Sequence, residues 1–204
     1  EKSEKPIGES WEISAVDGSV SVVANGHLKQ KSLNELIEAN PIDLFGHSVL
    51  NRFGNTFPLL IKFIDAHSDL SIQLHPNDEL AMQRHHSLGK EEMWYIMEAE
   101  QDSRLLFGFN TFLDKDTYSK HLQEHTLEKV MHNEKVQKGD VFHIPAGRVH
   151  AIGSGIVLAE IQQSSDITYR LFDWNRLDDE GNSRELHTDL ALDAIDFTIP
   201  KSFK

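Results

Sequence analysis

Segments of β-strand length, many of them bounded by glycine or proline, recur along this chain and restrict it to a β-rich fold. Residues 59–66 and 70–74 are apolar runs of this kind, as are 92–97, 104–109, 140–144, 155–163 and 167–174. Two shorter strands are expected at 11–15 and 19–24, about the Asp17-Gly18 turn. Many short strands with Gly and Pro turns favour a sandwich or barrel. Helical pattern is confined to interludes. Ser32-Leu-Asn-Glu35 is a capping-box signature opening a helix through about Ala39, ahead of Pro41. Asn77 is a candidate cap for a helix to about His86. Residues 114–131, rich in Lys, Glu, Leu and His, read as one long helix, and 185–195 as another after a turn at 178–181.

Composition removes several function classes. The 204 residues carry a net charge of −13, which argues against nucleic acid or an anionic membrane as a partner but leaves room for a locally basic pocket. There is no cysteine, so disulfides, thiolate metal sites and cysteine nucleophiles are excluded. No apolar run approaches the ~20 residues needed to span a bilayer, and the polar start E-K-S-E-K-P has no signal-peptide pattern. The expected location is cytoplasmic.

The chemistry concentrates in three segments: S-I-Q-L-H-P-N-D at 71–78, G-K-E-E-M-W-Y at 89–95, and G-D-V-F-H-I-P-A-G-R-V-H at 139–150. On an extended strand Ser71, Gln73 and His75 share one face, with Ile72 and Leu74 on the other. Lys90, Glu92, Trp94 and Ile96 likewise share a face, and Glu91 falls opposite. If Lys90 faces the pocket, Glu92 and not Glu91 is the ligand candidate. His150, held by the turn at Pro145-Ala-Gly147, completes a set of one amide oxygen, two imidazoles and one carboxylate, a plausible shell for zinc. A single histidine among 12 carries little weight, and His85, His86, His121, His125, His132 and His187 lie in polar helical stretches where a surface role is the simpler reading. The third segment is more specific, because it fits G-x(5)-P-x-G-x(2)-H.

That segment resembles the second sequence motif of the cupin superfamily. The combination S-I-Q-x-H-P, G-K-x-E-x-W-Y and I-P-A-G-x-x-H-A-I resembles the type I mannose-6-phosphate isomerases, their short bacterial branch above all. G-E-S-W-E at 8–12 and V-L-A-E-I-Q-Q-S-S-D-I-T-Y-R at 157–170 extend the match. The resemblance implies a mainly β, double-stranded β-helix (a jelly-roll-like barrel) with a few short helices. It implies one Zn²⁺ per chain on Gln73, His75, Glu92 and His150, and a phosphorylated hexose as substrate. It puts catalytic roles on Arg170, Glu160 and Lys90, and pocket roles on Lys62, Ser71, Glu9 and Asp166. The expected organisation is a single catalytic domain over 1–204, with helical insertions around 32–39, 77–86 and 114–131. Family members usually begin some tens of residues earlier and end with another β-rich domain, so the chain is expected to be a fragment, a trimmed form or a natural short form. The sequence leaves the oligomeric state open.

The implied reaction interconverts mannose 6-phosphate and fructose 6-phosphate through an enediol. Two neutral imidazoles, an amide and one carboxylate around Zn²⁺ leave the site net positive, which favours an anionic intermediate. The residues leave three bland alternatives open: Glu160 as a salt-bridge partner, Arg170 as an ion pair with Asp166 or Asp173, and Lys62 at a strand end with its amine in solvent. Two other functions compete with the isomerase: another metal-dependent cupin enzyme, such as an iron dioxygenase, and a non-catalytic sugar-phosphate-binding module.

Overall fold

Alternation of buried and exposed side chains sets the architecture. The computed structural model describes residues 7–178 and 180–199. Ten strands and five helices follow in the order β1 (Glu9–Ile13), α1 (Leu33–Ala39), α2 (Pro41–Phe53), β2 (Leu59–Ala66), β3 (Ile72–Leu74), α3 (Asp78–His85), β4 (Glu92–Ala99), β5 (Arg104–Phe109), α4 (Lys115–Gln123), β6 (Met131–Lys135), β7 (Val141–Ile144), β8 (His150–Ile152), β9 (Ile156–Gln163), β10 (Tyr169–Phe172) and α5 (Thr188–Leu192). They form two five-stranded sheets, β1-β2-β9-β4-β7 and β10-β3-β8-β5-β6, with antiparallel pairing throughout. This is the β-rich, jelly-roll-like arrangement expected from the sequence.

The two sheets are buried differently. In the first, β9 alternates along its length and β4 as far as Ile96, so Trp94, Ile96, Ile156 and Leu158 face inward. They pack against Leu105, Phe107 and Ile152 of the second sheet, forming the core between the layers. The outer face of the first sheet leaves Leu59, Phe63, Met93, Tyr95 and Val141 exposed. The second sheet is covered on both faces. Its outer residues, including Ile72, Leu74, Leu106 and Leu171, pack with Tyr118 of α4, Leu127 and Ala191 of α5 into a second core. Each such side chain fully buried contributes about 1.5–3 kcal/mol relative to exposure. Double burial explains why β5 shows no alternation.

Local signals account for the helix starts. Ser32 accepts from the Glu35 amide while the Glu35 carboxylate accepts from the Ser32 amide, closing the expected capping box. Asn77 caps α3 through the Leu80 amide at 2.9 Å. Three expectations need correction. The 114–131 stretch is helical only to Gln123; after His125, at φ 54°, Leu127–Val130 is a 3₁₀ turn and β6 pairs with β5. Helix propensity is a weak bias, and sheet pairing overrides it here. Residues 19–24 form only a bridge, Val22 to Ser32, because the chain folds straight back through Val23–Lys31 and Gln30–Val23 hydrogen bonds. The expected 185–195 helix is limited to α5, while α2, bent at Gly46, was not foreseen.

The loop between β7 and β8 positions His150. Gly147 sits at φ 82°, and a Cβ there would lie 2.6 Å from the Ala194 carbonyl oxygen. The loop is tied on by Gly147 N to His75 O at 2.8 Å and Asp196 N to Gly147 O at 2.9 Å. Gly147→Ala is therefore expected to cost more than the ~1–3 kcal/mol of backbone strain alone. Gly139→Ala, at φ 93° with open space around it, should show only the strain. Thermal unfolding of the two variants checks this; equal losses would contradict the close-packing account.

Candidate metal centre and active site

β3, β4 and β8 aim four polar side chains at one point. His75, at the end of β3, is 1% exposed, Glu92 at the start of β4 is 2% and His150 at the start of β8 is 1%. Their ligand-capable atoms lie within 4.8 Å of one another. Gln73 pairs directly with His150 across the sheet.

Each imidazole is oriented from behind. His75 Nδ1 lies 2.9 Å from the Ile167 carbonyl oxygen, and His150 Nδ1 lies 2.8 Å from that of Arg148. A carbonyl only accepts, so both Nδ1 atoms carry the proton and both Nε2 lone pairs turn inward. His75 Nε2 is 3.2 Å from Glu92 Oε1, and His150 Nε2 is 3.8 Å from Glu92 Oε2. Burial pushes the His150 pKa down to about 3, so it stays neutral. Burial opposes the charge on Glu92, but the Lys90 ammonium outweighs it and holds the carboxyl well below its usual range. Glu92 Oε2 is buried without a hydrogen-bond partner among the described residues. A carboxylate, two inward lone pairs and an orphaned oxygen form a cation-seeking array, which fits a zinc ion. Lys90 is drawn into it, touching Glu92 Oε1 and lying 3.2 Å from His75 Nε2.

Gln73 stands with its Nε2 3.5 Å from His150 Nε2, while its Oε1 accepts from Ser71 Oγ at 3.2 Å. A half-turn of the amide exchanges the two atoms and presents oxygen to the cluster. Strand alternation therefore anticipates the inward set correctly. Lys90 is 4% exposed, whereas Glu91 lies outside with His143 at 2.6 Å.

Glu160, in register with Trp94 and Lys62 on either side, is 3% exposed. Trp94 Nε1 donates to it at 2.9 Å, Lys62 lies at 3.5 Å and Lys90 at 3.9 Å. Burial and the Glu92 charge raise the Glu160 pKa against the pull of both lysines. Lys62 is 7% exposed, so it is not a strand-end amine in solvent. It also reaches Glu9 at 3.7 Å and lies over the Trp11 ring, 4.8 Å from its centroid. Glu9, Lys62, Ser71, Gln73, Lys90, Glu160, Asp166 and Arg170 all line one cavity of about 520 Å³. Arg170, opposite Gln73 in β10, donates Nη1 to the Glu185 carbonyl at 2.9 Å, and its buried Nε has no partner among the described residues. It makes no ion pair with Asp166 or Asp173 among the described residues.

The structure also brings in residues for which no role was foreseen. Trp94 was legible by parity with Glu92, and Trp11 stands in the G-E-S-W-E segment. Arg184 lines the cavity from an irregular loop, and no periodic signal reaches it.

Residues 1–118 match the family described as phosphomannose isomerase type I, catalytic domain. The chain is 42% identical over 196 residues to mannose-6-phosphate isomerase ManA of Bacillus subtilis (strain 168), covering 95% of this chain and 60% of that protein. It superposes on the crystal structure of the Bacillus subtilis mannose 6-phosphate isomerase with a TM-score of 0.86 at 37% identity, over 97% of this chain and 60% of the other. A zinc-bound mannose 6-phosphate isomerase shares the fold, with a TM-score of 0.68 at 17% identity over 95% of this chain and 67% of that one. The chain thus spans about 60% of the length of the curated relative it matches. By the family match over more than half its length, the chain belongs to the type I phosphomannose isomerases.

Proposed function

We propose that this chain carries the catalytic centre of a zinc-dependent aldose–ketose isomerase interconverting mannose 6-phosphate and fructose 6-phosphate. One observation carries the reading: two imidazoles and a carboxylate converge against Gln73 and Lys90, which line a cavity together with a buried carboxyl of raised pKa and further cations. The names of the relatives support it. So does the zinc bound by a protein of the same fold.

His75, His150, Glu92 and Gln73 would hold one zinc ion, with Gln73 turning its oxygen inward. When bound, the metal acts as a Lewis acid toward the sugar oxygens. The remaining work belongs to the chain. Glu160 takes the proton from C2 and returns it to C1, while the hydroxyl proton moves from O2 to O1. Burial places its pKa nearer the working range of a general base. The Trp94 hydrogen bond holds Oε2 and leaves Oε1, between Lys62 and Lys90, as the oxygen to reach the sugar. Lys90 and Arg170 oppose the negative charge that develops on the sugar oxygens in the enediol-like transition state. Lys62, Ser71, Glu9 and Asp166 bind and orient the substrate.

A coupled assay for fructose 6-phosphate, with and without chelator, tests the reading. Turnover should fall with zinc content and return on adding zinc; turnover that persists without metal would refute it. His150→Ala should lose zinc and activity together, whereas His121→Ala, on α4 and bonded to Thr126 at 2.8 Å, should lose neither. Glu160→Gln should keep full zinc occupancy and lower kcat by about 10²–10⁴-fold; near-normal kcat removes Glu160 from proton transfer. Arg170→Lys keeps charge but loses the planar fork, so kcat should fall more than KM rises. A rise in KM at constant kcat would instead make Arg170 a simple anchor.

A further inference from the structure

The cavity has a second pole, built from arginine. Asp173, just after β10, is 6% exposed. Arg184 donates Nε to its Oδ2 at 2.7 Å and Nη2 to its Oδ1, and Arg176 donates Nη2 to the same Oδ1. Arg176 and Arg184 come from facing arms of a short loop closed by the Leu177–Ser183 bridge. Arg176 is further tied through Nη1 to the Asp69 carbonyl at 2.8 Å. Of these two, only Arg184 lines the cavity, where Arg170 is its neighbour.

Three features separate this pole from the rest of the site. First, charge: two guanidinium groups share one buried carboxylate and a third, Arg170, stands close by without an ion pair to it among the described residues, so even the nearby Glu185 leaves a positive surplus. Burial, then the charges of Arg184 and Arg176, depress the Arg170 pKa, as expected of gathered like charges. Lys62 and Lys90, by contrast, are each matched by carboxylates. Second, donor geometry: Asp173 takes the Nε–Nη2 edge of Arg184 and leaves its Nη1 edge free among the described residues. That edge suits a multi-oxygen anion. Third, order: Arg170 stands opposite Gln73, beside the imidazole cluster, while Arg184 is anchored three residues farther along at Asp173. An open-chain hexose 6-phosphate has its reacting carbons and its phosphate at opposite ends.

We propose that Arg184 binds the phosphate group of the substrate, with Asp173 as the positioning residue that fixes its guanidinium at the cavity wall. This rests on the sugar-phosphate reading above and assigns the phosphate to a residue outside the recognised motifs. Arg170 keeps its place between the phosphate and the reacting carbons.

The test uses the zinc-loaded chain, with Arg184→Gln and Arg184→Lys. Arg184 is half exposed, so both variants should fold, which thermal unfolding verifies. Two readouts are compared: steady-state kinetics on mannose 6-phosphate, and calorimetric binding of inorganic phosphate. Losing one charged hydrogen-bonding group predicts a KM about 10- to 100-fold higher for Arg184→Gln, with kcat within a few-fold, a matching loss of phosphate affinity, and a smaller effect for Arg184→Lys. Unchanged KM and phosphate affinity, or a fall in kcat alone, would overturn the assignment, as would a wild-type chain that binds no phosphate. Should the wild type bind phosphate through Arg184 but turn over no sugar, the isomerase reading fails while the anion site stands.

Discussion

Two hydrogen bonds from imidazole to main chain decide what the centre of this protein is able to hold. By donating Nδ1–H to the Ile167 and Arg148 carbonyls, His75 and His150 present Nε2 lone pairs into a space with almost no water access. Both carbonyls belong to loops, and both loops are held by the sheets. The Ile167 loop precedes β10, and the Arg148 loop is pinned by the Gly147–His75 and Asp196–Gly147 bonds and by Arg148 to Asp196 at 2.8 Å. The tautomers are thus set by the fold, so the two imidazoles need little reorganisation when a cation enters, whereas Lys90 and the Gln73 amide must move.

The same architecture divides the electrostatics. At the inner end, Glu92 and Glu160 are both buried near Lys90, yet their pKa values move in opposite directions. Glu92 has the Lys90 ammonium against it and stays ionised. Glu160 feels burial and the Glu92 charge more strongly than its lysines. Separation of two nearby carboxyls into an anionic and a protonatable group is the pattern expected of acid–base chemistry. At the outer end, Arg170 and Arg184 leave positive charge unspent. An acidic protein thereby offers a locally basic cavity, as its net charge alone does not reveal.

What the sequence revealed followed side-chain periodicity. Parity on β3 and β4 separates Gln73, His75, Lys90, Glu92 and Trp94 from Ile72, Leu74 and Glu91, and the glycine–proline spacing of 139–150 marks the turn before His150. Capping signatures at Ser32 and Asn77 located two helices. Misreadings arose where local preference and tertiary pairing disagree. Residues 124–131 have helical composition, but the chain turns at His125 and leads through a 3₁₀ turn into β6 beside β5, and His150–Ile152 is too short to carry a pattern of its own. Arg184 escaped for a different reason: its place depends on Asp173 across an irregular loop, and no local rule reports such a contact.

The central claim is that two backbone-oriented imidazoles, with Glu92 and Gln73, form one zinc site. X-ray absorption at the zinc edge of the stoichiometrically loaded chain tests it most directly. The account predicts only nitrogen and oxygen neighbours at about 2.0–2.2 Å, with outer-shell scattering from two imidazole rings. Any zinc that His75→Ala or His150→Ala still retains at raised metal concentration should show half that imidazole signal. A spectrum lacking two imidazoles, or one unchanged in both variants, would contradict it.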